Sequence, residues 1–309
     1  MWKSYQGTKL LIPDPQPSYL FRGQYSVHRP SRASLFRDLS WSETGDVDDL
    51  SLSDKSRLVA SLSQTYWFTA ELESHYFYQD LKSKDWPLDA IGLAQHYGLP
   101  THYIDWTTSF SVAAFFATNR YSEEGWEPVS DDGGVIYMLN LGWWVERGLH
   151  PYNAVKPLGT SCLPRPIEQH AWYSDAEPHI DYSSQPCINA FEFTHDVEVS
   201  RHYNDHFDCG HKLFPPDPAA YVAERIQRSG QLMPEFVDLA IREWEKSISG
   251  GFECCSQSIH ELLQSDYSLD GRLCLMNNQD QSVFDAMWMP QMDDQERIWF
   301  HCVRAEERR

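Results

Sequence analysis

The first residues suited to chemistry lie in the segment YLFRGQ, residues 19–24. Apolar and aromatic positions precede Arg22 and Gly23 follows it, a pattern that predicts a short strand with a guanidinium at the edge of a sheet. An arginine can bind a phosphate or carboxylate through two parallel hydrogen bonds, and a glycine lets a ligand approach the backbone. The alternative is an ordinary surface salt bridge.

A second polar group lies in HYGLPTHYIDWTTS, residues 96–109. Asp105 falls at the end of a predicted strand, and Thr107, Thr108 or Ser109 can cap the helix that follows. The N-terminus of that helix would offer free N–H groups and a positive dipole end, which suit the pyrophosphate of a nucleotide. Alternatively, Asp105 and the threonines only brace the junction.

A third group lies in RPIEQHAWY, residues 165–173. Arg165, Glu168 and Gln169 stand together beside aromatic residues. A carboxylate and an amide side by side could bind sugar hydroxyls. They could equally belong to an ordinary polar loop.

The segment RHYNDHFDCGH, residues 201–211, contains three histidines and a cysteine, which are zinc ligands by type. Their spacing matches no metal motif, and the adjacent Cys254 and Cys255 have poor geometry for one closed site. We therefore expect no metal.

The composition limits the partners. The 309 residues include 45 acidic and 25 basic side chains, and the net charge is -20. Such a charge disfavours nucleic acid over the whole surface, although a local basic cleft could still make transient contact. It also suits a basic protein partner. The 7 cysteines include no CxxC pair, which favours reduced thiols over a disulfide framework.

Hydropathy predicts a cytoplasmic protein without membrane contact. The mean hydropathy is -0.53, and no apolar run approaches the roughly 20 residues of a membrane span. The first residues, MWKSYQGTKLLIPDPQP, lack the apolar stretch of a secretory signal.

The elements that must position these groups are short strands and helices in irregular order. We predict strands over residues 19–24, 101–106, 133–141 and 190–193, and helices over residues 53–81, 86–98, 109–121 and from 216 onwards. The order lacks a regular βαβ alternation, so the predicted fold class is α+β.

Four blocks occur in the order expected of the FRG domain, a family named for its Phe-Arg-Gly motif. They are FRGQ at 21–24, LAQHYGLPTHYIDWTTSFSVAAFFA at 93–117, RPIEQHA at 165–171 and LFPPD at 213–217. The sequence thus resembles that family over about two-thirds of its length. We divide the chain into a lead-in (1–17), an FRG domain (18–228) and a mostly helical C-terminal extension (229–309).

The motif order also resembles the ADP-ribosyltransferase superfamily, which implies a split β-sheet core flanked by helices. On that resemblance Arg22, with Gly23 and Gln24 beside it, would hold the phosphate or nicotinamide ribose of NAD. Tyr97 or Tyr103 would stack on nicotinamide.

The same resemblance implies the remaining site residues. Thr107 would occupy the Ser/Thr position of the second strand, with Asp105 bracing the turn. Glu168 or Gln169 would bind the ribose hydroxyl, with Glu168 preferred as the catalytic carboxylate and Glu192 as its possible substitute.

These assignments imply an enzyme that consumes NAD as a substrate, of the kind found as toxins in bacterial toxin–antitoxin and anti-phage systems. Such an enzyme would transfer ADP-ribose to a macromolecular target, with RNA weakly favoured, and could be held by an antitoxin protein. The alternatives are an NAD glycohydrolase and a non-catalytic module that binds a nucleotide or a partner.

Overall fold

The computed structural model describes residues 2–5, 8–11, 17–83, 89–131, 133–148, 155–158, 163–247, 255–271 and 282–283. A mostly antiparallel sheet surrounded by helices forms the body of the molecule. This architecture agrees with the predicted α+β class. None of the helices within the described ranges is long and apolar enough to cross a membrane.

The described strands follow one another along the chain in short segments. They are β1 (Trp2–Tyr5), β2 (Thr8–Leu11), β3 (Tyr19–Gln24), β4 (Tyr103–Thr107), β5 (Asn119–Ser122), β6 (Gly125–Pro128), β7 (Gly133–Asn140), β8 (Val155–Pro157), β9 (Ala171–Asp175) and β10 (Ile188–Thr194). Strands β1 and β2 pair with each other, as do β5 and β6, and the other six form the central sheet in the order β10-β7-β3-β4-β9-β8.

The helices connect and cover these strands. They are α1 (Leu52–Ser74), α2 (Tyr76–Ser83), α3 (Ala90–His96), α4 (Phe110–Thr118), α5 (Gly142–Glu146), α6 (Pro164–Glu168), α7 (Val197–His206), α8 (Pro218–Arg228), α9 (Pro234–Ser247) and α10 (Ser256–Asp266).

The central sheet opens between β3 and β4. Strand β3 pairs with β7 along its whole length, and β4 pairs with β9 along its whole length. Between β3 and β4 the pairing consists of Phe21 opposite Thr107. The sheet therefore consists of two three-stranded halves that meet at one residue pair.

Helix α1 organises the helical layer. It packs against α3, α8, α9 and α10, and Trp67, Phe68 and Leu72 on α1 are completely buried. Residues of α9 and α10 share a core with residues of the sheet. The described part of residues 229–309 contains helices α9 and α10, and these pack onto the same body as the sheet.

The strands and helices predicted within the described residues are present, but β1, β2, β5, β6, β8, β9, α5, α6 and α7 were not predicted. The strand over 19–24 is confirmed at both ends, and the strands over 133–141 and 190–193 and the helix from 216 are confirmed with small shifts. The predicted strand over 101–106 begins two positions later, at Tyr103. The predicted strand-like segment near the C-terminus lies outside the described residues.

Three predicted helices differ from the structure in their boundaries. The described part of the helix predicted over 86–98 has Asp89 as its N-cap and runs from Ala90 to His96. The helix over 53–81 is two helices, because His75 is buried and takes an extended backbone conformation. The helix over 109–121 ends at Thr118, because Asn119 turns extended and begins β5. The buried Asn119 side chain donates to the carbonyl oxygen of Phe115 at 3.1 Å and accepts from Asn204 at 2.8 Å. These hydrogen bonds fix the change from helix to strand.

Candidate functional site

A cavity of about 410 Å³ lies where the two halves of the sheet separate. Its walls come from β3, β4, the end of α3, helix α4, the β5–β6 hairpin and the turn after α6. Six of the residues predicted from sequence line it: Arg22, Gly23, Gln24, Asp105, Thr107 and Gln169. The fold thus brings together residues from all three polar groups of the sequence.

Arg22 crosses the opening of the sheet. Its Nη1 donates to the backbone carbonyl oxygen of Asp105 at 3.1 Å and lies 3.9 Å from the carboxylate Oδ2 of the same residue. Burial lowers the pKa of Arg22 to about 10, and the Asp105 carboxylate opposes part of that effect. The guanidinium therefore keeps its positive charge at neutral pH.

Gly23 has a packing reason that the sequence did not reveal. A Cβ atom at this position would lie 1.8 Å from the carbonyl oxygen of Ala113 and 2.7 Å from the amide nitrogen of Ala117. Glycine is thus required because β3 lies directly against the backbone of α4. Gly23 also lines the cavity, so the interpretation that it lets a ligand approach the backbone stays a prediction beside this packing reason.

Asp105 connects three elements. Its Oδ2 accepts a hydrogen bond from Gln95 Nε2 at 2.9 Å, while its backbone oxygen accepts from Arg22. Its Oδ1 lies 3.6 Å from His96 Nε2. Asp105 lies inside β4 rather than at its end, and its side chain links β4 to α3 instead of capping α4.

His96 is held from behind by Gln169. The Nε2 amide of Gln169 donates to the carbonyl oxygen of Leu213 at 3.0 Å, which leaves its Oε1 to accept from His96 Nδ1 at 3.0 Å. An amide oxygen can only accept, so His96 Nδ1 must carry a proton. The other ring nitrogen, Nε2, faces Asp105.

Four buried polar atoms around the cavity have no hydrogen-bond partner in the described part of the chain. They are Arg22 Nε, Gln24 Oε1, His96 Nε2 and Asp105 Oδ1. Leaving a buried donor or acceptor unpaired costs about 1–3 kcal/mol. Their concentration at one cavity is typical of a site whose partners arrive with a ligand.

Thr107 braces the start of α4. Its hydroxyl donates to the backbone oxygen of Gln169 at 2.7 Å and accepts from the amide of Ser109 at 3.0 Å. Of the three possible caps, Ser109 is the N-cap residue, and its side chain accepts from the amide of Val112.

One side of the cavity is basic. His28 and Arg37 line it together with Arg22. Burial and the repulsion of Arg37 and Arg22 lower the pKa of His28. Among the described residues that line the cavity, Asp105 is the single carboxylate, so this region is locally positive within an acidic protein.

Another side is aromatic. Phe116, Tyr121 and Trp126 line the cavity, and Tyr121 is 70 % exposed. The ring centroids of Tyr121 and Trp126 are 5.4 Å apart, and Trp126 stacks on Phe214 at 5.1 Å. The hairpin β5–β6 carries Tyr121 and Trp126. It was not predicted from sequence, because the helix predicted over 109–121 includes the first residues of β5.

Three predicted site residues lie outside the cavity lining. Tyr97 is buried and donates from its hydroxyl to Asp217 at 2.8 Å. Tyr103, two residues before Asp105 on β4, is buried against Tyr173 and donates to Asp89 at 3.1 Å. Glu168 is the exposed last residue of α6.

Glu192, the possible substitute for Glu168, is half-exposed on β10 and pairs with Arg29. It does not line the cavity either. In the described part of the chain, no three His, Cys, Asp or Glu side chains are grouped as a metal ion would require.

His96 is the functional candidate that sequence reasoning missed. It stands in the same block as Asp105, but a helix end gave no sign that its ring would point toward that carboxylate. His96 ends α3 and Asp105 lies nine residues later, in the middle of β4. This spacing was the one signal in the sequence, and the two side chains meet because α3 packs on β4.

Residues 17–125 match the family model of the FRG domain. This match confirms the resemblance that the sequence motifs indicate. The matched segment includes Arg22, His96 and Asp105, and Gln169 lies beyond it. No curated protein and no solved structure matches the chain.

Proposed function

We propose that this chain, whose residues 17–125 match the FRG domain, consumes NAD in the cavity at the opening of the sheet and transfers ADP-ribose to a macromolecule. The observation that carries this proposal is the buried Arg22 guanidinium, which lies at that opening beside unpaired polar atoms and one carboxylate. A cavity of about 410 Å³ is within the range of small-molecule sites.

The basic side of the cavity suits the pyrophosphate of NAD. Arg22 and Arg37 present guanidinium groups, and Arg22 Nε has no hydrogen-bond partner within the described ranges. Guanidinium groups bind phosphate oxygens through charge-assisted hydrogen bonds, which are stronger than neutral ones. Burial and the charges of Arg37 and Arg22 lower the pKa of His28, and an anion bound between the arginines would offset the effect of their charges.

The aromatic side suits a planar ring. Tyr121 and Trp126 offer ring faces and edges at the cavity wall, so we assign the stacking of nicotinamide to this hairpin rather than to Tyr97 or Tyr103. Aromatic rings favour offset or edge-to-face packing with centroids about 4.5–7 Å apart.

The carboxylate of Asp105 suits the reacting sugar. Cleavage of the bond between nicotinamide and C1′ of the ribose leaves positive charge on the sugar, and nicotinamide departs neutral. A fixed carboxylate stabilises that charge, and a held NAD molecule lowers the entropy cost of attack. We propose that Asp105 has this role, which the sequence analysis gave to Glu168.

The opening of the sheet supports an ADP-ribosyltransferase-like core. Such a fold implies a split β-sheet, and the two halves of this sheet share a single residue pair, Phe21 opposite Thr107. The substrate site of our proposal lies at that split.

The acceptor and the biological role are part of the same proposal. Tyr25 and Tyr121 stand exposed at the cavity wall, where they could stack on bases of an RNA acceptor, although the net charge of -20 opposes a wide RNA interface. We propose that the protein acts as a toxin, and that an antitoxin partner is basic enough to bind the acidic surface.

Incubation of the protein with adenylate-labelled NAD and total RNA, DNA and protein tests this proposal. Label in a macromolecule supports transfer, and label in free ADP-ribose alone identifies an NAD glycohydrolase. Intact NAD throughout would leave a binding module and contradict catalysis. The matched control is Arg201→Ala, which removes an exposed arginine on α7 that pairs with Glu198 away from the cavity.

A further inference from the structure

A chain of polar contacts leads from the interior of the protein to the cavity carboxylate. It runs from the Leu213 carbonyl oxygen to the Gln169 amide, from Gln169 to His96 Nδ1, and from His96 Nε2 to Asp105 Oδ1. The His96 side chain is 4 % exposed and the Asp105 side chain 36 % exposed. Asp105 therefore meets the cavity, and His96 stands behind it.

The tautomer of His96 follows from this arrangement. Gln169 Oε1 can only accept, so the proton of the neutral ring resides on Nδ1 and the lone pair on Nε2. The facing atom, Asp105 Oδ1, also carries lone pairs. Two acceptors 3.6 Å apart, neither with a hydrogen-bond partner among the residues that the structure describes, can share one additional proton.

We propose that His96 is a positioning residue that takes over the proton released by the attacking nucleophile through Asp105, an inference that rests on the proposed NAD-consuming function. The nucleophile O–H meets the Asp105 carboxylate, and its oxygen forms a bond to C1′ of the ribose. The bond between C1′ and the nicotinamide nitrogen breaks, and its electron pair leaves with nicotinamide. The proton moves through Asp105 to His96 Nε2.

This transfer explains why a histidine stands behind the carboxylate. If the proton stayed on Asp105, the carboxyl group would be neutral when the sugar is most positive. With the proton on Nε2, Asp105 remains an anion and His96 becomes an imidazolium that pairs with it. The charged groups around His96 are Asp105 on β4, Arg22 on β3 and Arg165 on α6, which donates to the His96 carbonyl oxygen. Across the cavity stand Arg37 and His28.

The variant His96→Asn tests the proposal through its kinetics. We expect kcat for nicotinamide release to fall by about 100-fold, the lower end for positioned acid–base groups, with KM for NAD within about threefold of the wild type because the binding groups remain.

The chain offers a matched control. His102 Nε2 also lies 3.5 Å from a carboxylate, that of Asp175, but neither residue lines the cavity. His102→Asn should keep the kcat of the wild type. A His96→Asn protein with wild-type kcat would overturn the proposal.

A spectroscopic measurement covers the case in which His96→Asn does not fold. Long-range ¹H–¹⁵N correlation of the wild-type imidazole should show a protonated Nδ1 and a bare Nε2 in the neutral ring, and a proton on Nε2 would contradict the transfer. The experiments distinguish the proposed function from the proton transfer. A wild-type protein that leaves NAD intact rejects the proposed function and, with it, the proton transfer. An active wild type with an unaffected His96→Asn rejects the proton transfer alone.

Discussion

The Nη1 atom of Arg22 donates a hydrogen bond to the backbone carbonyl oxygen of Asp105 at 3.1 Å, across the opening between β3 and β4. Residues 83 positions apart in sequence are thereby joined where the ladder of the sheet has a single pair. The interaction holds the two halves together, and Nε of the same guanidinium has no hydrogen-bond partner among the described residues.

Arg22→Lys should lower NAD turnover by at least about 100-fold, because an ammonium group cannot reach both the Asp105 carbonyl oxygen and a phosphate. The loss of one hydrogen bond should reduce the free energy of unfolding by only about 1 kcal/mol. Nicotinamide release and urea denaturation measure the two effects. An Arg22→Lys protein as active as Arg201→Ala would refute the role of the fork-shaped guanidinium.

Gly23→Ala should destabilise the fold by about 1–3 kcal/mol or more, because the new methyl group would collide with the backbone of α4. Gly142→Ala is the matched control, since the nearest atom there is the flexible Asn140 side chain at 3.1 Å. Chemical denaturation compares both variants with the wild type. Equal stabilities of Gly23→Ala and Gly142→Ala would contradict the close contact of β3 and α4.

Substitutions at the neighbouring residues Gln169 and Glu168 should have different effects, because Gln169 is buried in the site and Glu168 is exposed. Gln169→Leu should remove the support of His96 and leave two buried groups unpaired, at a cost of about 1–3 kcal/mol for each, and it should lower kcat strongly. Glu168→Gln should have near wild-type kcat and stability, because the residue is exposed and does not line the cavity. A Glu168→Gln protein with a large loss of kcat would restore the carboxylate preferred from sequence.

The raised pKa values of the buried phenols of Tyr103 and Tyr173 lead us to expect that the protein loses stability at alkaline pH. Burial, together with nearby Asp89, raises the pKa of both phenols above the ordinary value of 10.0. The unfolded chain loses these protons first as the pH rises, so the native state binds more protons there and its stability falls above about pH 10.

Tyr173→Phe should reduce this dependence by one proton. The slope of the free energy of unfolding against pH should become shallower by about 1.4 kcal/mol per pH unit above pH 10. Urea denaturation between about pH 8 and 11 measures it. Identical slopes for the two proteins would show that Tyr173 does not ionise in this way.

The sequence predicted the parts of the fold that local patterns determine. Strand β3 was predicted at both ends because apolar residues precede a glycine, and Gly98 takes the left-handed conformation just after α3, with φ of 83°. The boundary at Asn119 was missed because it depends on a hydrogen bond from Asn204, which lies 85 residues away.

The candidate site was predicted only in part, because local sequence patterns identify its motifs but not the contacts between distant residues. Arg22, Asp105 and Gln169 stand in distinctive motifs, and the fold brings them to one cavity. The direction of each side chain was not accessible from sequence. Tyr97 and Tyr103 look suitable for stacking, but both face the core, whereas Tyr121 and Trp126 reach the cavity through a hairpin that the sequence pattern concealed.

The most direct test of the central claim is a time course of nicotinamide release from NAD by the full chain, with Arg22→Lys and Arg201→Ala beside it. We predict that the wild type and Arg201→Ala release nicotinamide at equal rates, and that Arg22→Lys releases it at least about 100-fold more slowly. Intact NAD in the presence of the folded wild-type protein and cell extract as a source of acceptors would contradict the account.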